Sequence, residues 1–318
     1  NLYTVEQAKA WDSATGNDIL GNPINNSKPN WGTGSKQTLF KANKEATELG
    51  LELGKDYNDP KWDEVLDSIP FNEAKGIVDT SAFGKEAKVN SVGRTAESQD
   101  ADGPAQINGF NSRTKGTGYP NATVLAQAFS PNLAYQYGLS YGTDMAACGA
   151  DGLYGFGCNI HRSPMQGRNY EYFSEDGFLS AVMLANEVKG LSNRGKYCFL
   201  KHLVLAETEY EREAMYVYVT EQALREIYLK PFKSAIQDAN CVGIMTSYNR
   251  IGSTWAGCSE ALIEGVIRGE YGFNGAIITD YSDDMPLILG DYKLEKKTIN
   301  YAVYVLDDDN CLTLKDIN

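Results

Sequence analysis

The sequence predicts an α/β fold, a (β/α)8 TIM-like barrel with an irregular amino-terminal lead-in, on three observations. Short continuous apolar runs bounded by polar residues or glycine recur along the chain, as parallel strands covered on both faces require. Amphipathic helical patterns separate them, with a repeat of about 40 residues that suits a β/α unit. Neither a G-x-G-x-x-G nor a G-x-x-x-x-G-K-[ST] loop follows any run, which removes the commonest reason to prefer an open doubly wound sheet. With 318 residues, 42% of them hydrophobic, the chain can bury a barrel core as one domain.

The elements follow in chain order. Residues 1–60 are assigned to a lead-in or linker, because "GNPINNSKPNWGTGSKQ" (Gly21 to Gln37) is rich in Asn, Gly, Lys and Ser and packs poorly. The barrel domain is assigned to residues 61–318. It opens on "KWDEVLDSIP", where Trp62, Val65, Leu66 and Ile69 share one helical face. Strands are expected at "LYGFGCNI" (153–160), "KYCFLKHLVLA" (196–206), "CVGIMTSYN" (241–249) and "GAIITDYS" (275–282). After "SED", Phe178, Ala181, Val182, Ala185 and Val188 define an inward helix face. Ser259 is placed to cap a helix that turns Leu262, Ile263, Val266 and Ile267 inward. After Asp284 the pattern fades, so barrel closure stays open, with "YAVYVL" (301–306) as a substitute eighth strand.

Composition excludes several functions. The net charge of −13 argues against nucleic acid and anionic membranes, both of which need clustered Lys and Arg. No apolar run reaches the ~18 residues of a membrane span, and no basic-then-apolar leader is visible, which leaves cytoplasmic and secreted locations both open. The six cysteines, Cys148, Cys158, Cys198, Cys241, Cys258 and Cys311, form no C-x-x-C pair, so neither a metal site nor a redox motif is expected and most read as buried thiols. No cofactor is expected.

In a barrel the carboxyl ends of the strands carry the chemistry. The polar residues there are "DGP" (102–104), "GRNYEYFSED" (167–176), "KH" (201–202), "SYN" (247–249) and "TD" (279–280). Together they supply acids, Arg, Lys, His and Tyr, an inventory suited to a neutral polyol. Taken singly, each has a plainer reading: Asp280 as a turn former, His202 as a core histidine, Glu175 and Asp176 as helix caps, and Glu207, Glu209 and Glu211 as loop supports. His161 could hold the loop carrying Arg168 or touch substrate, and Trp255 could line a sugar path or cover the rim.

The motifs "DADGPA", "YPNATVLAQAFSPNLAYQYG", "NIHRSPMQGRNYEYFSED", "KHLVLAETEYER", "EQALREIYLKPF", "MTSYNRIGSTWAG" and "RGEYGFNGAIITDYSDD" occur in one order from about Trp62 to Asp284. On these the chain resembles the catalytic barrel of glycoside hydrolase family 3, the β-glucosidase and β-xylosidase family. The resemblance implies an exo-acting retaining β-glycosidase, with β-glucosidase favoured, whose nucleophile is Asp280. It further implies that Asp102 grips sugar hydroxyls, that Arg168, Lys201 and His202 donate to the sugar and keep Asp280 charged, and that Tyr248 flanks the nucleophile. Tyr281 stands where the family usually has Trp and could stack on the next sugar. Ala206 replaces the family's usual Asn.

The partner implied is a carbohydrate, a β-glucoside or short oligosaccharide. The second carboxyl of a retaining mechanism comes, in most of the family, from a separate α/β sandwich domain, so the acid/base is expected from outside this chain. The lead-in suits members in which that domain precedes the barrel. The alternative is a non-catalytic carbohydrate-binding or scaffold barrel, motivated by Ala206 and the unlocated acid. A Schiff-base enzyme using Lys201 is a more distant reading.

Overall fold

In the computed structural model, residues 44–53, 59–80, 84–94, 97–109, 116–213, 215–281, 302–306 and 312–316 are described. Three helices come first, α1 (Lys44–Leu53), α2 (Trp62–Asp67) and α3 (Phe71–Thr80). Helix α1 lies inside the segment expected to be an irregular lead-in; its "KEATELGLEL" is made mostly of strong helix formers. In α2 Val65 is buried but Leu66 is 58% exposed, so the four-residue apolar face read from the sequence is narrower than expected.

The main sheet is built on five parallel strands in chain order: β2 (Ser98–Asp102), β4 (Gly152–Gly157), β5 (Tyr197–Leu203), β7 (Gly243–Thr246) and β10 (Ala276–Thr279). Two short antiparallel strands, β1 (Lys85–Glu86) and β3 (Asn108–Gly109), pair with β2. Each parallel strand pairs with its predecessor without reversal of order, which is barrel topology; a doubly wound sheet reverses at a switch point. Among the described residues nothing joins β10 back to the β1 side, so the sheet is an incomplete TIM-like barrel.

The expected strands all form, shorter than their apolar runs. The substitute eighth strand does not join them. Strand β11 (Ala302–Leu306) pairs antiparallel with β12 (Leu312–Asp316) in a separate two-stranded sheet.

Side chains alternate across the sheet as the period of two demands. Leu153, Leu200 and Ile244 join the large core against the helices, whereas Tyr154, Phe199 and Met245 form a second cluster on the opposite face, each supplied by a different strand. Helix α4 (Ala122–Ala126) and helix α5 (Pro131–Cys148) connect β2 to β4, and α6 (Gly177–Ser192) connects β4 to β5. Helices α5 and α6 approach closely because both carry glycine at the crossing: a Cβ at Gly138 would lie 2.0 Å from the Glu187 carbonyl oxygen, and one at Gly190 would lie 2.1 Å from that of Tyr135. Asp176 caps α6 through Phe178 N (2.6 Å) and Leu179 N (2.9 Å). Phe178, expected inward, is 66% exposed, since at the first turn its side chain clears the core that Ala181, Ala185 and Val188 enter.

A short α7 (Glu221–Ala223), a π turn (Leu224–Tyr228) and α8 (Lys230–Gln237) lead into β7, and a π-helical segment (Ala261–Glu270) leads into β10. Ser259 does cap that last segment, accepting from Leu262 N, and Leu262 and Ile267 are buried. Strands β6 (Tyr216–Val217), β8 (Arg250–Ile251) and β9 (Thr254–Trp255) form a small separate sheet. Cys158, Cys198 and Cys241 are buried thiols and Cys148 and Cys258 partly so, all of them free; Cys311 lies outside the described residues.

Candidate active site

Parallel register brings the carboxyl ends of the strands to one edge. Asp102 is level with Tyr154, Gly157 with Lys201, Leu203 with Thr246, and Thr246 with Thr279, one residue before Asp280. At this edge lies a cavity lined by Arg168, His202, Ala206, Glu209, Arg212, Tyr248, Asn249 and Asp280. Of the residues singled out in the sequence, Arg168, His202, Tyr248 and Asp280 meet here, and Ala206 faces the same space.

Asp280 is held by its backbone and left open at its tip. Its N–H donates to Thr246 O at 3.1 Å, extending the β7–β10 ladder by one residue, and Oδ1 accepts from Tyr281 N at 2.8 Å. Oδ2 is buried, 3.4 Å from His202 Nε2, and makes no hydrogen bond among the described residues. Burial raises the carboxyl above the ordinary aspartate range, against the opposing pull of the Tyr281 N–H and of the cations Arg168, Lys201 and Arg212. Loss of water thus works against the charge that Arg168 and Lys201 favour.

His202 is not one of the cations. Burial, reinforced by Arg168, Lys201 and Arg212, pushes its pKa well below the usual imidazole range, so the ring is neutral. The Tyr172 hydroxyl lies 3.3 Å from Nδ1, and burial keeps that phenol protonated. Asn159 Oδ1, which can only accept, lies 3.4 Å from the same nitrogen, and Nε2 faces Asp280. Asn159 fixes the backbone of the same residue, accepting from His202 N at 2.7 Å and donating to His202 O at 3.0 Å.

A chain of charges flanks the cavity. Lys201, within an otherwise apolar strand, contacts Asp102 Oδ1 at 3.0 Å and Glu171 Oε2 at 3.8 Å, and Glu171 also binds Arg168 through Nε and Nη2. The requirement that a Lys in a buried strand must find a buried partner is thus met by Glu171, a residue the sequence reading passed over. Burial alone would weaken the Arg168 cation, but the hydrogen bond to Glu171 and neighbouring anions keep it firmly charged. Asp102 does not line the cavity itself; it stands beside it on β2, tied through Lys201.

Arg212 was also missed, although it ends the quoted "KHLVLAETEYER". Its guanidinium pairs with Glu209 at 3.0 Å and lies over the Tyr248 ring, 4.6 Å from the centroid. The Tyr248 hydroxyl is pushed above the usual phenol range by burial and by the Asp280 charge. Tyr281 is 53% exposed and does not line the cavity.

The open alternatives close on the structural side. His161 Nε2 lies 2.8 Å from Asn169 O and 2.9 Å from Tyr172 O, so it braces the loop carrying Arg168. Trp255 is buried and donates Nε1–H to Ser247 O at 2.9 Å, beneath the rim. Glu207 is buried with Oε2 accepting from Ile160 N at 3.1 Å, a link between two loops, and burial pushes it up to about 8.

Comparison with known proteins agrees with this geometry. The description "Glycosyl hydrolase family 3 N terminal domain" matches residues 103–299. A beta-glucosidase of Rhizobium radiobacter is 32% identical over 222 residues, 69% of this chain and 27% of that protein, and one of Ruminococcus albus is 37% identical over 181 residues, 57% and 19%. Among solved structures, beta-glucosidase 3B of Thermotoga neapolitana in complex with glucose aligns with TM-score 0.58 at 32% identity, covering 62% of this chain and 28% of that one. The Kluyveromyces marxianus beta-glucosidase in complex with glucose aligns with TM-score 0.65 at 31% identity, covering 69% and 26%. The chain therefore spans about a quarter of the length of such relatives. A family match over most of the barrel, carried by strands whose ends gather these side chains into one cavity, makes this chain a member of glycosyl hydrolase family 3.

Proposed function

We propose that this chain is the nucleophile-bearing half of a retaining, exo-acting β-glycosidase, with a terminal β-D-glucosyl residue as the favoured substrate. The observation that carries the reading is Asp280: a half-buried carboxylate at a strand terminus, one oxygen fixed by a backbone N–H and the other, buried, turned without a hydrogen bond toward His202 in a cavity rimmed by cations. The relatives' printed names and their glucose complexes support the sugar class.

In this reading Oδ2 of Asp280 attacks the anomeric carbon, the bond to the leaving oxygen breaks, and water later cleaves the glycosyl ester. Neutral His202 faces the carboxylate through Nε2 and lines its side of the cavity without neutralising the nucleophile. Arg168 and Lys201 donate to sugar hydroxyls and Asp102 accepts from them. The proton for the leaving oxygen comes from a second carboxyl on a domain outside this chain, since among the described residues Glu209, the other acid lining the cavity, is committed to Arg212.

Mass spectrometry after incubation with a 2-deoxy-2-fluoro-β-glucoside bearing a dinitrophenolate leaving group tests the reading, because that group departs without a proton donor. A stable adduct on Asp280 is expected. An unlabelled chain that still binds glucose by calorimetry would instead favour the non-catalytic carbohydrate-binding barrel, the alternative that Ala206 in the cavity wall keeps in view.

A further inference from the structure

We propose that Glu171 is a positioning residue that sets the two cations of the sugar site, Arg168 and Lys201, as one unit. The inference rests on the glycosidase reading and deepens it. Glu171 closes the short 3-10 turn Asn169–Glu171 and its side chain is 4% exposed. Oε1 accepts from Arg168 Nε, while Oε2 accepts from Arg168 Nη2 at 3.1 Å and lies 3.8 Å from Lys201 Nζ. The cations come from different elements, Arg168 from the loop after β4 and Lys201 from inside β5, and this carboxylate contacts both.

The turn that presents it is pinned from two sides. Thr123 Oγ1 donates to Asn169 O and Tyr172 O, each at 3.0 Å, and His161 Nε2 meets the same two carbonyls. A carboxylate on so constrained a turn has little freedom to follow its partners, so the cations adjust to it.

Two consequences follow from the chemistry of the groups. A bidentate pairing occupies the Nε and Nη2 side of the guanidinium, which leaves the Nη1 side to serve the cavity that Arg168 lines. Lys201, 5% exposed, sits between Glu171 and Asp102, so its ammonium is aimed by one buried and one half-exposed carboxylate. Without Glu171, Arg168 would lose its bidentate partner and Lys201 would keep only the half-exposed Asp102, so nothing would hold the two cations side by side.

The test is a double-mutant cycle on the rate at which the fluoroglucoside labels Asp280. Glu171→Gln should slow labelling by about 100-fold, the cost of a roughly 1 Å misplacement of binding groups. In an Arg168→Met background the same change should cost at least tenfold less, because the group it positions has gone. Equal cost in both backgrounds, or no cost in either, overturns the proposal. If Glu171→Gln does not fold, Glu171→Asp keeps the charge but shortens the reach, and should still slow labelling about tenfold; an unchanged rate overturns the proposal. Labelling of the unaltered chain tests the nucleophile assignment separately. Should that fail, the same cycle read in glucose affinity carries the identical expectation for Glu171 and none for Asp280.

Discussion

Asp100, buried, and Asp280, half-buried, stand at opposite ends of the same sheet, and locally they look alike. Each has Oδ1 hydrogen-bonded, to the Tyr197 hydroxyl at 2.7 Å and to Tyr281 N at 2.8 Å, and each has a buried Oδ2 without a hydrogen bond. Burial raises both, Asp100 to about 6. The difference lies in the charges around them. Around Asp100 the anions Glu86 and Asp151 raise it further and outweigh Arg94, whereas Asp280 faces Arg168, Lys201 and Arg212. A strained carboxyl among acids is a stability liability, and the same carboxyl among cations can be ionised when its oxygen is needed.

The sharpest way to break this contrast is to remove each carboxylate. Asp280→Asn should abolish labelling by the fluoroglucoside and lower turnover of the complete protein by at least about 10³-fold. Asp100→Asn should leave both near the unaltered values. Comparable losses from the two would show that burial at the sheet, not the cationic surround, decides function.

Removing one cation sharpens it next. On the proposed mechanism activity needs ionised Asp280, so the acidic limb of the pH profile should rise as pH passes through its elevated pKa. The charged or titratable groups facing it are Arg168, Lys201, His202, Arg212 and Tyr248. Arg212→Met removes a charge that favours ionisation and should shift that limb to higher pH, with kcat/KM falling roughly 10- to 100-fold. A limb that moves downward would mean that Arg212 does not act on Asp280.

Smaller effects concern stability. A carboxyl raised in the folded state contributes stability while protonated; that contribution is present below its ordinary pKa and is lost as pH rises through the folded value. For Glu207 the window runs from the ordinary value of 4.5 to about 8. Glu207→Gln should flatten the fall in thermal midpoint across that range by roughly 5 °C. For Asp100 the window is narrower, from 3.8 to about 6, and Asp100→Asn should flatten the fall by about 2 °C. Thermal melts between pH 4 and 9 check both, and an unchanged slope in either variant would place that carboxyl in water.

Much of the site was legible because strand ends are written locally. An apolar run that stops at Asp280, or is broken by Lys201 and His202, announces its terminus in one dimension, and barrel topology then gathers those termini. Glu171 and Arg212 were not legible in the same way. Both lie in polar loops, where an acid or a base is ordinarily solvated, and only folding turns Glu171 inward between two cations and Arg212 over the Tyr248 ring. Phe178 erred in the other direction: the helical period placed it on the core face, but the core does not reach the first turn of α6.

By itself the sequence determined the class of fold, the order of strands and helices, and the residue types at each strand terminus, since these depend on local periodicity and chain order. The tertiary structure decided the electrostatic state of the site. That His202 is neutral, that Asp280 is raised in spite of three cations, and that Glu171 joins Arg168 to Lys201 all depend on how much water each group loses and what charge replaces it. Desolvation is a property of the packed volume around a side chain, and that volume is assembled from segments far apart in the sequence.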